Sequence, residues 1–98
     1  MPDERRNRPR ITGPFDGSWN GAAGIRNCRI VDISAAGCFI DAISQPEVGA
    51  EVVVSVVLAG REFALPGRAV HVDRVQGFGV RFADSEAATQ LAAVLDAM

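Results

Sequence analysis

The 98-residue sequence predicts a mostly β domain, a small six-stranded antiparallel β-barrel with a C-terminal α-helix. Three observations carry that expectation. From residue 26 to residue 82 short runs rich in Val, Ile and Phe read as extended segments, most with apolar residues recurring at a period of two. Breaks at hairpin spacing, containing Gly, Pro or Ser, separate those runs. After Asp84 the apolar period changes to three and four, as an amphipathic helix requires. No helix-period segment lies between strands, so a parallel βαβ sheet is not expected. The length suits one domain, since a single core typically spans about 100–150 residues.

The elements follow in order. Residues 1–10 are polar, hold Pro2 and Pro9, and read as a flexible arginine-rich arm preceding a domain over residues 11–98. Ile11–Trp19 reads as a short strand, followed by a Gly-rich loop to Gly24. Arg26–Ile33 alternates, with Arg26, Cys28, Ile30 and Asp32 on one side. Ser34-Ala35-Ala36-Gly37 then turns the chain into Cys38–Ala42, a hairpin. Glu51–Leu58 and Glu62–Val72 form a second hairpin across Ala59-Gly60, and Pro66-Gly67 suggests a bulge or bend there. Val75–Phe82 supplies the last strand. Asp84 or Ser85 is placed to cap a helix over about 84–98, with Ala87, Leu91, Val94, Leu95 and Met98 on its apolar face.

Composition narrows the chemistry. All ten basic residues are arginine, which removes lysine nucleophiles, Schiff bases and the P-loop lysine. The formal charge is −2, so long DNA or RNA is a poor partner, and few aromatics are available as a stacking platform. No apolar run approaches the ~20 residues of a membrane span, and the start lacks a secretory signal, so no membrane partner and a cytoplasmic location are expected. Cys28 and Cys38 have neither C-x-x-C nor zinc spacing. In the predicted hairpin they lie about 16 Å apart at ~3.3 Å per residue, beyond disulfide reach. His71 stands alone, Ser34 lacks a nucleophile elbow, and Gly77-Phe78-Gly79 lacks the third glycine of a phosphate loop. Neither catalytic residues, nor a metal site, nor a cofactor is expected.

Two clusters stand out. Arg5-Arg6-Asn7-Arg8-Pro9-Arg10 places Arg6 and Arg10 four residues apart. Asp32-Ile33-Ser34-Ala35-Ala36-Gly37 places Asp, Ser and Gly at its first, third and sixth positions. A planar guanidinium pairs bidentately with phosphate or a guanine edge and stacks on a base, which lysine does not. Asp32 can accept from guanine N1–H and N2–H₂, Ser34 can donate to a ligand or cap the turn, and Gly37 permits positive φ or close ligand approach. The ordinary use of such residues is to serve the turn's own backbone.

Together the clusters resemble the RxxxR and D/N-x-S-x-x-G motifs of PilZ domains, bacterial receptors for the second messenger cyclic di-GMP. Gly77-Phe78-Gly79-Val80-Arg81-Phe82 is similar to that family's last strand. The sequence departs from the family at His71, where a tryptophan is frequent, and in its Gly-rich segment 13–21. The resemblance implies that Arg6 and Arg10 contact phosphate and guanine while Asp32, Ser34 and Gly37 complete the pocket. It implies that Arg5 favours a stacked ligand dimer. It also implies signal transduction in which the arm becomes ordered over the ligand and is read by a downstream protein partner. The alternatives are a PilZ-like protein-interaction module that does not bind the nucleotide, and an RNA-binding small barrel.

Overall fold

Alternation of side chains builds the barrel wall. In β4 (Glu51–Leu58) Val52, Val54, Val56 and Leu58 point inward, while Glu51, Val53 and Val57 face solvent. The structure is a computed structural model and describes residues 10–22 and 24–98. It adds β1 (Arg10–Gly21), β2 (Gly24–Ser34), β3 (Gly37–Asp41), β5 (Arg61–Asp73), β6 (Gly77–Phe82) and the helix α1 (Glu86–Ala97). The strands close in the order β1-β2-β3-β6-β5-β4, every pair antiparallel. Closure pairs β1 with β4, from Gly17 opposite Val56 to Asn20 opposite Val53, and leaves no free sheet edge. The expected six-stranded barrel with a terminal helix is what forms.

Three local expectations are corrected. β1 is longer than Ile11–Trp19, because its glycines serve close strand approach rather than a loop. A Cβ on Gly17 would lie 2.6 Å from the Ser55 carbonyl of the neighbouring strand. Pro66-Gly67 makes no bulge, and β5 stays in register with β4 through both residues. The Pro66 carbonyl accepts from Ala83 N at 2.8 Å, just past the end of β6, so the proline nitrogen, which faces the same side, meets the chain only where that strand has ended. The irregularity in β5 falls instead between Ala69 and His71. The last strand starts at Gly77 rather than Val75, because Asp73 Oδ1 accepts from Val75 N at 2.8 Å and Gln76 N at 3.1 Å, forming a turn.

Helix α1 begins at Ser85, whose Oγ accepts from Ala88 N at 3.0 Å. Leu91 and Leu95 are buried in the common core and Arg61 donates to Gln90 Oε1 at 3.1 Å, tying the helix to the β4–β5 hairpin. Met98 does not join that face and is 59% exposed, because the helix has ended at Ala97 and Met98 N bonds back to Leu95 O as a cap. The register places the start of β1, the β2–β3 turn, the β4–β5 turn and the end of β6 at one end of the barrel. Among the described residues no helix is long and apolar enough to cross a membrane.

Candidate functional site

A single extra residue aims the first candidate side chain. Ile30 of β2 is fully buried, and strict alternation would send Asp32 into the core beside it. The pairing with β3 instead steps from Ile30–Ile40 to Asp32–Phe39, leaving Val31 as a bulge. Asp32 therefore turns outward, Ile33 becomes fully buried, and no carboxylate is desolvated in the core. The sequence grouping of Asp32 with Cys28 and Ile30 on one side of the strand is corrected by that bulge.

β1 brings the arginine to it. Arg10 lies opposite Ser34 and Thr12 opposite Asp32, so Arg10 and Asp32 are diagonal neighbours on the outer face. Arg10 Nη1 donates to Asp32 Oδ1 at 2.8 Å, with the arginine side chain 60% exposed and the aspartate 24%. Asp32 Oδ2 takes no hydrogen bond among the described residues. Arg5 and Arg6 lie outside the described residues.

The turn between the strands uses its own polar groups. Ser34 is 7% exposed, and its Oγ accepts from Ala36 N at 3.3 Å and donates to the Gly37 carbonyl at 3.4 Å. Of the two roles open to this hydroxyl, it fills the turn-capping one. The Ala36 carbonyl accepts from Phe82 N at 2.9 Å, so β6 clamps the turn. Gly37 does not have positive φ, a feature held by Gly24, Gly49, Gly60 and Gly77. A Cβ on Gly37 would run into the Val80 carbonyl, so the approach that requires glycine is that of the β6 backbone. The arrangement is thus a clamped hairpin tip with one carboxylate and one guanidinium presented outward beside it, able to accept from and donate to a polar ligand.

Pairing of distant strands adds neighbours that sequence order hides. Asp32 is followed across the sheet by Phe39, Gly79 and His71, all on the outer face. A concavity of about 760 Å³ lies instead over β4 and β5 and is bordered by Val53, Pro66, Arg68, Val70 and Arg81. A second, about 630 Å³, sits at the other end of the barrel near Trp19, Arg26 and Ile43. No group of three His, Cys, Asp or Glu placed to hold a metal occurs among the described residues.

Burial disfavours the thiolate of both cysteines. Both are free; burial pushes the Cys28 thiol up to about 11, and burial together with Cys28 and Asp32 pushes Cys38 higher still. Alkylation of the folded protein by iodoacetamide at pH 8 is expected to be much slower than after unfolding in urea. The folded state prefers the neutral thiol, so this contribution is intact below pH 9 and is lost as pH rises toward 11. A urea midpoint that does not fall between pH 9 and pH 11 contradicts this environment.

The comparisons with known proteins agree with this architecture. The family model described as PilZ domain matches residues 4–97. Among solved structures, the PilZ domain of CeSA from a cellulose-synthesizing bacterium is similar, with a TM-score of 0.64 at 21% identity over 89% of this chain and 90% of that one. No curated protein matches the chain.

Proposed function

Since the chain belongs to the PilZ domain family, whose model spans residues 4–97, we propose that it is a cyclic di-GMP receptor that signals through protein contacts and catalyses no reaction. The observation that carries this reading is the 2.8 Å pair between Arg10 and Asp32, which joins one residue from each motif on the outer face of the barrel. Arg6 and Arg10 contact phosphate and guanine, and Asp32 receives the guanine N1–H and N2–H₂ donors. Ser34 and Gly37 act mainly by fixing the turn from which Asp32 projects. By the family resemblance, Arg5 favours a second, stacked ligand.

Binding orders the N-terminal arm over the ligand. Fixing each residue costs about 1–2 kcal/mol in backbone entropy, which the guanidinium contacts must exceed. The ordered arm is then a new surface for a protein partner. One observation favours the second reading, a PilZ module that does not bind the nucleotide: Arg10 already occupies one oxygen of Asp32.

Asp32→Ala tests the assignment. Losing a two-donor guanine contact is expected to lower affinity for cyclic di-GMP about tenfold to a hundredfold by calorimetry, since such bidentate base contacts carry about 1–3 kcal/mol of discrimination. The wild-type protein is expected to reject cyclic di-AMP, whose base offers the opposite edge. Undiminished affinity in the variant, or equal binding of the two dinucleotides, contradicts the proposal.

A further inference from the structure

The Ser34–Gly37 turn has an arginine on each flank. On the β1 side Arg10 lies opposite Ser34, and on the β6 side Arg81 lies opposite Gly37. Arg81 faces outward between the buried Val80 and Phe82, so alternation fixes its direction. Gly37, the residue between Arg81 and the turn, has no side chain to stand in the way. The clamp from Phe82 N to the Ala36 carbonyl holds this stretch of β6 against the turn.

Fold stability does not account for Arg81. Its other cross-strand partner is Arg68, and like charges directly opposite one another destabilise a sheet. Arg68 is drawn to the β4 side, donating to Glu51 Oε2 and to the Gly49 carbonyl, both at 3.2 Å. Arg81 has no hydrogen bond or ion pair among the described residues. An exposed cation facing a second cation, with no acceptor of its own, gains most from a bound anion.

We propose that Arg81 is a further ligand-binding residue, contributing a guanidinium that takes a phosphodiester of cyclic di-GMP from the β6 side of the turn, opposite Arg10. This rests on the receptor reading above and extends it. The ligand carries two phosphodiester charges, and arginines on both flanks of one turn match two anionic groups better than a single arm does. Sequence motifs do not reveal Arg81 as a neighbour of Gly37, because it lies 44 positions further along the chain and meets it only through the β3–β6 pairing.

Calorimetric titration of the full chain with cyclic di-GMP tests it, comparing wild type with Arg81→Gln, Arg81→Lys, Arg68→Gln and Arg10→Ala. Arg81→Gln is expected to bind at least about tenfold more weakly, the loss of one charge-assisted contact. Arg81→Lys is expected to fall between it and wild type, and Arg68→Gln to stay within about twofold of wild type. Salt dependence is expected to weaken in Arg81→Gln and not in Arg68→Gln, a change that a structural role would not produce. If Arg81→Gln folds poorly, Arg81→Lys decides, and wild-type affinity in it at low and high salt overturns the assignment. Equal losses in Arg81→Gln and Arg68→Gln overturn it too, since they would reflect only the general field. Wild-type affinity in Arg81→Gln with loss in Arg10→Ala ends this inference and leaves the receptor reading standing. No binding by the wild-type protein ends both.

Discussion

Arg10→Ala is expected to weaken cyclic di-GMP binding about a hundredfold or more in a calorimetric titration while leaving the melting temperature nearly unchanged. Two charge-assisted hydrogen bonds at about 1.5–3 kcal/mol each set the scale, and a hundredfold corresponds to about 2.7 kcal/mol. The stability side is small because the Arg10 side chain is mostly exposed, and exposed ion pairs contribute about 0–1 kcal/mol. Arg6→Ala is expected to behave in the same way. The separation is what gives the result its meaning: a variant that keeps its circular dichroism and loses the ligand has lost a contact, not a fold. Full affinity in Arg10→Ala would remove the pair with Asp32 from any role in binding.

Phe78→Ala is expected to cost the fold about 3–5 kcal/mol, the range for deleting a buried phenylalanine and leaving a cavity. Phe78 is fully buried near the start of β6 and meets Trp19 edge-on, with ring centroids 5.0 Å apart at 74°. Trp19 Nε1 is buried without a hydrogen-bond partner among the described residues, so the value of this pair lies in packing. A domain of this length loses roughly 4–8 °C per kcal/mol, which makes the drop in melting temperature at least about 12 °C. The effect reaches the candidate site, because β6 joins β3 to β5 and clamps the Ser34–Gly37 turn. A loss below about 1 kcal/mol in urea unfolding contradicts this core.

How much of this was legible in the sequence depends on the range of the interaction. The hairpins and the Ser85 cap are set by neighbours a few residues apart, and alternation, turn residues and helical period disclose them. The two motifs were readable as residue types at fixed spacing. What alternation does not disclose is the bulge at Val31, which decides whether Asp32 faces the core or solvent and depends on both flanking strands. Gly37 looks like a positive-φ turn residue until β6 is placed beside it, and the crowding of its position by the Val80 carbonyl is a tertiary fact. Pro66 reads as a bend for a similar reason, since only the end of β6 at Phe82 shows that its missing donor has no strand to serve. Met98 continues the helical stripe on paper, but the chain has left the helix one residue earlier. Arg81 and His71 enter the neighbourhood of Asp32 and Gly37 only through strand order.

The most direct measurement is one calorimetric titration of the unmodified chain with cyclic di-GMP, run beside the same titration with cyclic di-AMP. Saturable heat with the guanine dinucleotide and none with the adenine one is the predicted result. Absence of saturable binding to cyclic di-GMP, with the barrel intact by circular dichroism, would contradict the assignment of Arg10 and Asp32 to a shared ligand.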